Sequence, residues 1–208
     1  MSNSTPDNST LTLVLMAGLP GVGKSILAHA LEKELGWRVI DKDGLKEQLL
    51  RDGLDDYAAG YQAYDWSFEA VREELKHNRS VILDSAALHS FILEAAQKIV
   101  SDIIPVQIRL KVLFLVVADR ELRRERIQHR PPQTKGIRFD QSTINDYLSC
   151  YSHLPLPPGS FYLDTSTQQL ENYLPRASYY LTSDDEKYDD DEKKLKSDCK
   201  IHVLSKVR

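Results

Sequence analysis

Cysteine is scarce in this chain: Cys150 and Cys199 are the only two in 208 residues, far apart and in no metal-ligand spacing. That excludes a disulfide scaffold and a zinc module, and both are read as free thiols without a role. Long apolar runs are also missing. The longest, residues 11–19, is too short to cross a bilayer, and the polar "MSNSTPDNST" before it lacks the positive start of a secretory signal. No membrane partner is expected, and the cytoplasm is the default location. Nor is there an excess of one charge. With 27 Lys and Arg against 31 Asp and Glu, the net charge of -4 lacks the basic surplus of a general nucleic-acid binder, though a local basic groove stays compatible with it. No internal repeat occurs, and the length suits one domain.

What is present is an alternation of strand and helix signals. Residues 1–10 read as a flexible leader. The run "LTLVLMA" is apolar along almost its whole length, as in a central strand covered on both faces. After a Gly-rich loop, Ile26, Leu27, Ala30, Leu31 and Leu35 recur at helical spacing, with Gly36 placed to stop the helix. "WRVI" predicts a second strand ending at Asp41, "GLKEQLLRD" a short helix, and residues 60–78 a longer one. "SVILD" predicts a third strand ending at Asp84, and "SFILEAAQKIV" a helix. "LKVLFLVVA" predicts a fourth strand, followed by the Arg-rich helix "DRELRRERIQHR", the loop "PPQTKG" and a helix over 141–151. "SFYLDTS" is a short fifth strand. Alternating elements of this kind make an α/β fold with a mainly parallel sheet, because parallel neighbours need crossover connections. Beyond residue 182 the mixed-charge "SDDEKYDDDEKKLKSD" predicts a solvated tail over 183–208, whose final "CKIHVLSKVR" is equally compatible with an added strand or a loose end.

The chemistry concentrates in "GLPGVGKS". Gly18, Gly23, Lys24 and Ser25 fulfil the pattern Gly, four residues, Gly-Lys-Ser, in the correct strand-loop-helix context. Glycines let the loop curl until successive N–H groups point inward, forming a nest for phosphate at the positive end of the next helix. Lys24 would reach the β- and γ-phosphates, and the Ser25 hydroxyl would take Mg²⁺. Gly18, Pro20, Gly21, Val22, Gly23, Lys24, Ser25 and Ile26 are the expected nucleotide-binding set. ATP is favoured over GTP, since the guanine-reading Asn-Lys-x-Asp appears nowhere in the chain.

Together "GLPGVGKS", "DKDGLKEQLL", "VILDS" and "DRELRRERIQHR" resemble the small P-loop kinases of the nucleotide and metabolite kinase branch. Similar proteins include AAA-domain kinases, polynucleotide 5'-hydroxyl kinases, chloramphenicol phosphotransferase and zeta-toxin-like kinases. The resemblance covers about residues 11–182 and implies a P-loop NTPase three-layer sandwich, with a five-stranded sheet and an Arg-rich lid at about 120–140. It implies an ATP- and Mg²⁺-dependent kinase acting on a hydroxyl of a small-molecule or nucleotide-like acceptor. In this branch a carboxylate shortly after the second strand orients and deprotonates that hydroxyl. The Asp-x-x-Arg pattern falls on Asp43 and Lys46, so lysine replaces the arginine that grips a substrate anion bidentately; Arg51, two turns on, is a loose substitute. Asp41 and Asp43 lie on the same side of an extended segment, so either suits the acceptor, with Asp43 favoured. The resemblance also makes Asp84 the metal-side carboxylate beside Ser25, whereas Asp119 reads as the cap of the Arg-rich helix. Arg126 and Arg130, ahead of Arg123, are the lid arginines that neutralise charge on the moving phosphoryl group; a solvated helix of Glu–Arg pairs is the plainer reading.

Two features stay secondary. Tyr57, Tyr61, Tyr64, Trp66 and Phe68 precede the third strand and read as core more than as a substrate pocket, and His89 as a helix-start residue. A polynucleotide 5'-hydroxyl kinase is the nearest alternative, disfavoured by the missing arginine and the net charge. A zeta-toxin-like kinase for a nucleotide sugar and a slowly hydrolysing ATP-binding switch are the others. Oligomeric state is not encoded in any recognisable pattern.

Overall fold

A computed structural model describes residues 10–86, 89–117, 119–129, 159–166 and 169–183. The helix expected over 141–151, the loop "PPQTKG", Arg130, both cysteines, residues 1–9 and the charged tail beyond 183 lie outside the described residues.

Five parallel strands, β1 (Leu11–Ala17), β2 (Arg38–Asp41), β3 (Val81–Asp84), β4 (Ile108–Val116) and β5 (Phe161–Asp164), form one sheet in the order β2-β3-β1-β4-β5. The near-continuous apolarity of β1, broken by Thr12, follows from its central place, with all seven residues buried. Its alternation is two-sided. Leu11, Leu13, Leu15 and Ala17 pack with Phe68, Val71 and Leu75 of α3 (Asp56–Lys76) and Ile92, Ala96 and Ile99 of α4 (Ser90–Asp102). Val14 and Met16 face the other way, against Leu27, Ala28 and Leu31 of α1 (Lys24–Leu35) and Tyr173, Ala177 and Leu181 of α6 (Leu170–Thr182). Helices on both faces of a parallel sheet are the expected three layers.

Helix boundaries move where a side chain caps them. The helix α2 (Lys42–Arg51) starts two residues before the expected Gly44, because the Asp41 carboxylate accepts from Asp43 N and Gly44 N. For α3 the shift is four residues, Asp55 accepting from Tyr57 N and Ala58 N. The expected cap on α5 (Arg120–Gln128) is realised, with Asp119 accepting from Glu121 N and Leu122 N. Helix α6 has no counterpart in the sequence expectations. Pro175 lies inside it and costs it a backbone hydrogen bond, which masks its periodicity; burial of Tyr173, Ala177, Tyr180 and Leu181 against the sheet holds it regardless.

The carboxyl ends of the strands meet at one edge. Asp41 is in register with Asp84, and Asp84 with Met16. Ligands of open α/β sheets sit outside this edge, where successive connections leave in opposite directions.

Candidate functional site

Gly18 and Gly23 make the loop after β1 possible for different reasons. At Gly18, φ is 140° and a Cβ would stand 2.5 Å from the Leu115 carbonyl oxygen of β4, so any side chain there forces the loop off the sheet. Gly23 caps α1 in the left-handed region at φ 93°, with no side chain bonded to the first helical N–H groups. Among the described residues, a Cβ on Gly23 would meet nothing within 4 Å. The first amides of the helix and its positive dipole are thus left without a side-chain cap among the described residues, which suits an anion. The Lys24 Nζ donates to Gly18 O at 2.9 Å and Leu19 O at 3.3 Å, arching across the loop. Val22 is buried and Ile26 points outward, 63% exposed, so Ile26 contributes backbone only.

Asp84, at the end of β3, is 5% exposed. Burial pushes its carboxyl above the ordinary value of 3.8, opposed by a hydrogen bond from Ser25 and by the Lys24 charge, and assisted by the negative Asp41 and Asp43. Ser25, Asp84, Lys24, Asp41 and Asp43 thus form one electrostatic neighbourhood. Among the described residues no group of three His, Cys, Asp or Glu side chains could hold a metal alone. The Ser25 hydroxyl and Asp84 carboxylate fit Mg²⁺ nonetheless, because that ion takes one or two protein oxygens and completes its shell with phosphate and water.

The two aspartates after β2 divide their tasks. Asp41 is committed to the α2 cap at 3.0 and 3.1 Å, whereas Asp43 stands in the first helical turn, its side chain 48% exposed, paired with Lys42 Nζ at 2.6 Å. Lys46 bonds Asp56 at 2.8 Å, tying α2 to α3. Arg51 is exposed at the last turn of α2.

On the opposite side of the loop lies α5. Arg123 is 9% exposed and packs against Gly21, where a Cβ would meet its Cγ at 2.9 Å. Arg126 donates to Thr165 O at 2.9 Å and to Thr165 Oγ1 at 3.4 Å. The Thr165 hydroxyl in turn donates to Val22 O at 2.8 Å. The arginine face is therefore linked to the phosphate loop through a threonine, 2% exposed, that sequence reasoning missed. Its signal was modest: a hydroxyl residue directly after the aspartate ending β5, at the edge where β1 and β3 also end. The aromatic stretch splits. Phe68 is buried and Tyr64 packs on the core, while Tyr57 and Tyr61 are 74% and 54% exposed, contrary to a wholly core reading.

A parallel sheet of this order, with an amide-lined glycine loop at the end of its central strand, defines the class: a P-loop NTPase with the fold of the small kinases. Within it the chain belongs to the AAA_33 family, described as an AAA domain, whose sequence profile matches residues 13–154. Among solved structures of similar fold, a sugar kinase from Janibacter sp. HTCC2649 gives a TM-score of 0.57 at 19% identity, covering 83% of this chain and 94% of that one. The APS kinase CysC of Mycobacterium tuberculosis, solved with AMPPNP and APS, gives 0.55 at 17% identity, covering 84% and 99%. At such identities the likeness is one of fold. The L-seryl-tRNA(Sec) kinase of Methanococcus maripaludis is 31% identical over 74 residues, 35% of this chain and 29% of that protein, so the match spans under a third of that kinase. No described helix is long and apolar enough to cross a membrane.

Proposed function

We propose that this protein is an ATP- and Mg²⁺-dependent cytoplasmic kinase that transfers the γ-phosphate to a hydroxyl of a small-molecule or nucleotide-like acceptor. The observation that carries this reading is the buried Asp84 carboxylate, in register with Met16 just before the glycine loop that Lys24 spans and with Asp41 on the acceptor side. A seryl hydroxyl at the start of the loop's helix, with a buried carboxylate at the same sheet edge, is arranged for a nucleotide-bound divalent cation. Bound there, Mg²⁺ would supply charge neutralisation on the β- and γ-phosphates.

The protein's own groups then have distinct tasks. The α1 amides and Lys24 seat the phosphates. Asp43 orients the acceptor hydroxyl and takes its proton as the new phosphorus–oxygen bond forms and the bond to the β-phosphate oxygen breaks, leaving ADP. Arg126, with Arg130, neutralises charge on the transferring group. Phosphoryl transfer needs positioning and electrostatics more than covalent help, so this division is sufficient. Lys46 contributes a point charge toward the acceptor on rearranging from Asp56.

An acceptor hydroxyl carried by RNA is the second reading, supported by the partial likeness to a seryl-tRNA kinase; the lysine at position 46 of the Asp-x-x-Arg pattern weighs against it. A screen following label from γ-phosphate into hydroxyl compounds, with Lys24→Ala and Asp43→Asn beside the wild type, tests the reading. Acceptor-dependent ATP consumption is the expected result. Acceptor-independent hydrolysis that Asp43→Asn leaves untouched would sink it in favour of a nucleotide switch.

A further inference from the structure

The acceptor side of the site carries exposed aromatic surface arranged as a row. Tyr57, Tyr61 and Phe91 are 74%, 54% and 37% exposed. Ring centroids of Tyr57 and Tyr61 are 4.7 Å apart, those of Tyr61 and Phe91 6.4 Å apart with planes 22° from parallel. His89 continues the row, 5.7 Å from Phe91 at 16°. Singly exposed rings need no explanation, but a contiguous apolar patch does. This one leads directly to the candidate base. Phe91 stands edge-on to Tyr64 at 5.3 Å, the Lys42 ammonium lies 5.1 Å over the Tyr64 ring, and the same ammonium bonds Asp43 at 2.6 Å.

We propose that Tyr57, Tyr61, Phe91 and His89 form a stacking surface for a planar heterocycle, so that the acceptor is a nucleobase-bearing molecule whose hydroxyl is delivered to Asp43. The inference rests on the kinase reading and names its substrate class. The planes of Tyr61 and Phe91, and of Phe91 and His89, lie within 22° and 16° of parallel, with Tyr57 tilted 54° from Tyr61, and base–aromatic stacking tolerates any base because every base has a π face. A sugar alone is a poorer fit. It needs polar groups around its hydroxyls, whereas Tyr57, Tyr61 and Phe91 offer mostly apolar ring surface. A free nucleoside and the unpaired end of an RNA share the required chemistry.

The test is calorimetric titration of the full chain with cytidine, adenosine, ribose and a short single-stranded RNA bearing a 5'-hydroxyl. Wild type, Tyr61→Ala, Phe91→Ala and Tyr61→Phe are compared, with AMPPNP binding as the check that each variant is folded. Nucleoside or RNA should bind and ribose should not. Each alanine variant should weaken that binding about 5- to 100-fold, the range of one lost base–aromatic stack, with Tyr61→Phe retaining it. Weakened nucleoside binding identifies the free nucleoside as source, and weakened binding of RNA alone identifies the RNA end. Ribose bound as well as nucleoside, no binding of nucleoside or RNA, or binding indifferent to both alanine variants overturns the proposal. Label transfer separates the two readings. Stacking without transfer to any acceptor defeats the kinase assignment and leaves the surface standing, while transfer indifferent to the rings does the reverse.

Discussion

The turns from β1 into α1 and from β2 into α2 leave the same edge of the sheet one strand apart, and they are finished in opposite ways. The first ends on Gly23, which offers no side chain to the orphan amides. The second ends on Asp41, whose carboxylate occupies the amides of Asp43 and Gly44. An open helix start attracts an external anion; a capped one is closed to it. Asp41 closes the second turn and leaves Asp43 one step into the helix, on the side of the exposed rings. Under the proposed reaction this difference would give the site its polarity, with phosphate at the uncapped turn and acceptor at the capped one.

The sharpest way to break this comparison is at the open turn. Lys24→Ala should reduce phosphoryl transfer about 10³- to 10⁵-fold, the scale of losing a cation on the transferring group, measured as kcat/KM in the label-transfer assay. Asp43→Asn comes next. It should lower kcat by about 10²- to 10⁴-fold, as expected for a positioned base, while thermal unfolding and ATP binding match the wild type. Asp41→Ala separates the two aspartates. Its main effect should be loss of about 1 kcal/mol of stability in denaturant titration, the worth of one cap, with a smaller fall in kcat than Asp43→Asn.

The smallest effect lies away from both turns. Glu74 is 3% exposed and accepts from Arg38 Nη1 at 2.8 Å and Arg79 Nε at 2.5 Å. The Arg79 bond, against the cost of burial and with help from Arg38, holds its carboxyl below the ordinary 4.5. A depressed carboxylate contributes stability above its unfolded value and loses it as pH falls through the folded one. Stability should therefore decline on acidification below 4.5, and Glu74→Gln should flatten that decline. At neutral pH the variant should lose only about 1 kcal/mol, since solvent screens the two half-exposed arginines.

Much of this architecture was legible in the chain. Near-continuous apolarity marked β1 as central, and the glycine pattern located the phosphate loop, because both signals are local and residue-specific. Asp119 was readable as a cap for the same reason. Helix α6 was not, since Pro175 breaks its pattern and contact with the sheet holds it. Thr165 was missed because its role is to join Val22 and Arg126, 143 and 39 residues away. Tyr57 and Tyr61 read as core because spacing does not reveal whether a neighbouring element covers a ring.

By itself, then, the sequence determined the α/β class, through its alternating local signals, and also the glycine loop after β1 and the pair of aspartates at the β2–α2 turn, each a property of a few consecutive residues. Only the tertiary structure decided which aspartate caps, that Asp84 is buried in register with β1 beside the glycine loop, and that Tyr57 and Tyr61 stay exposed. Those depend on strand register and on which helices cover which face, and register is set by packing between segments far apart in the chain.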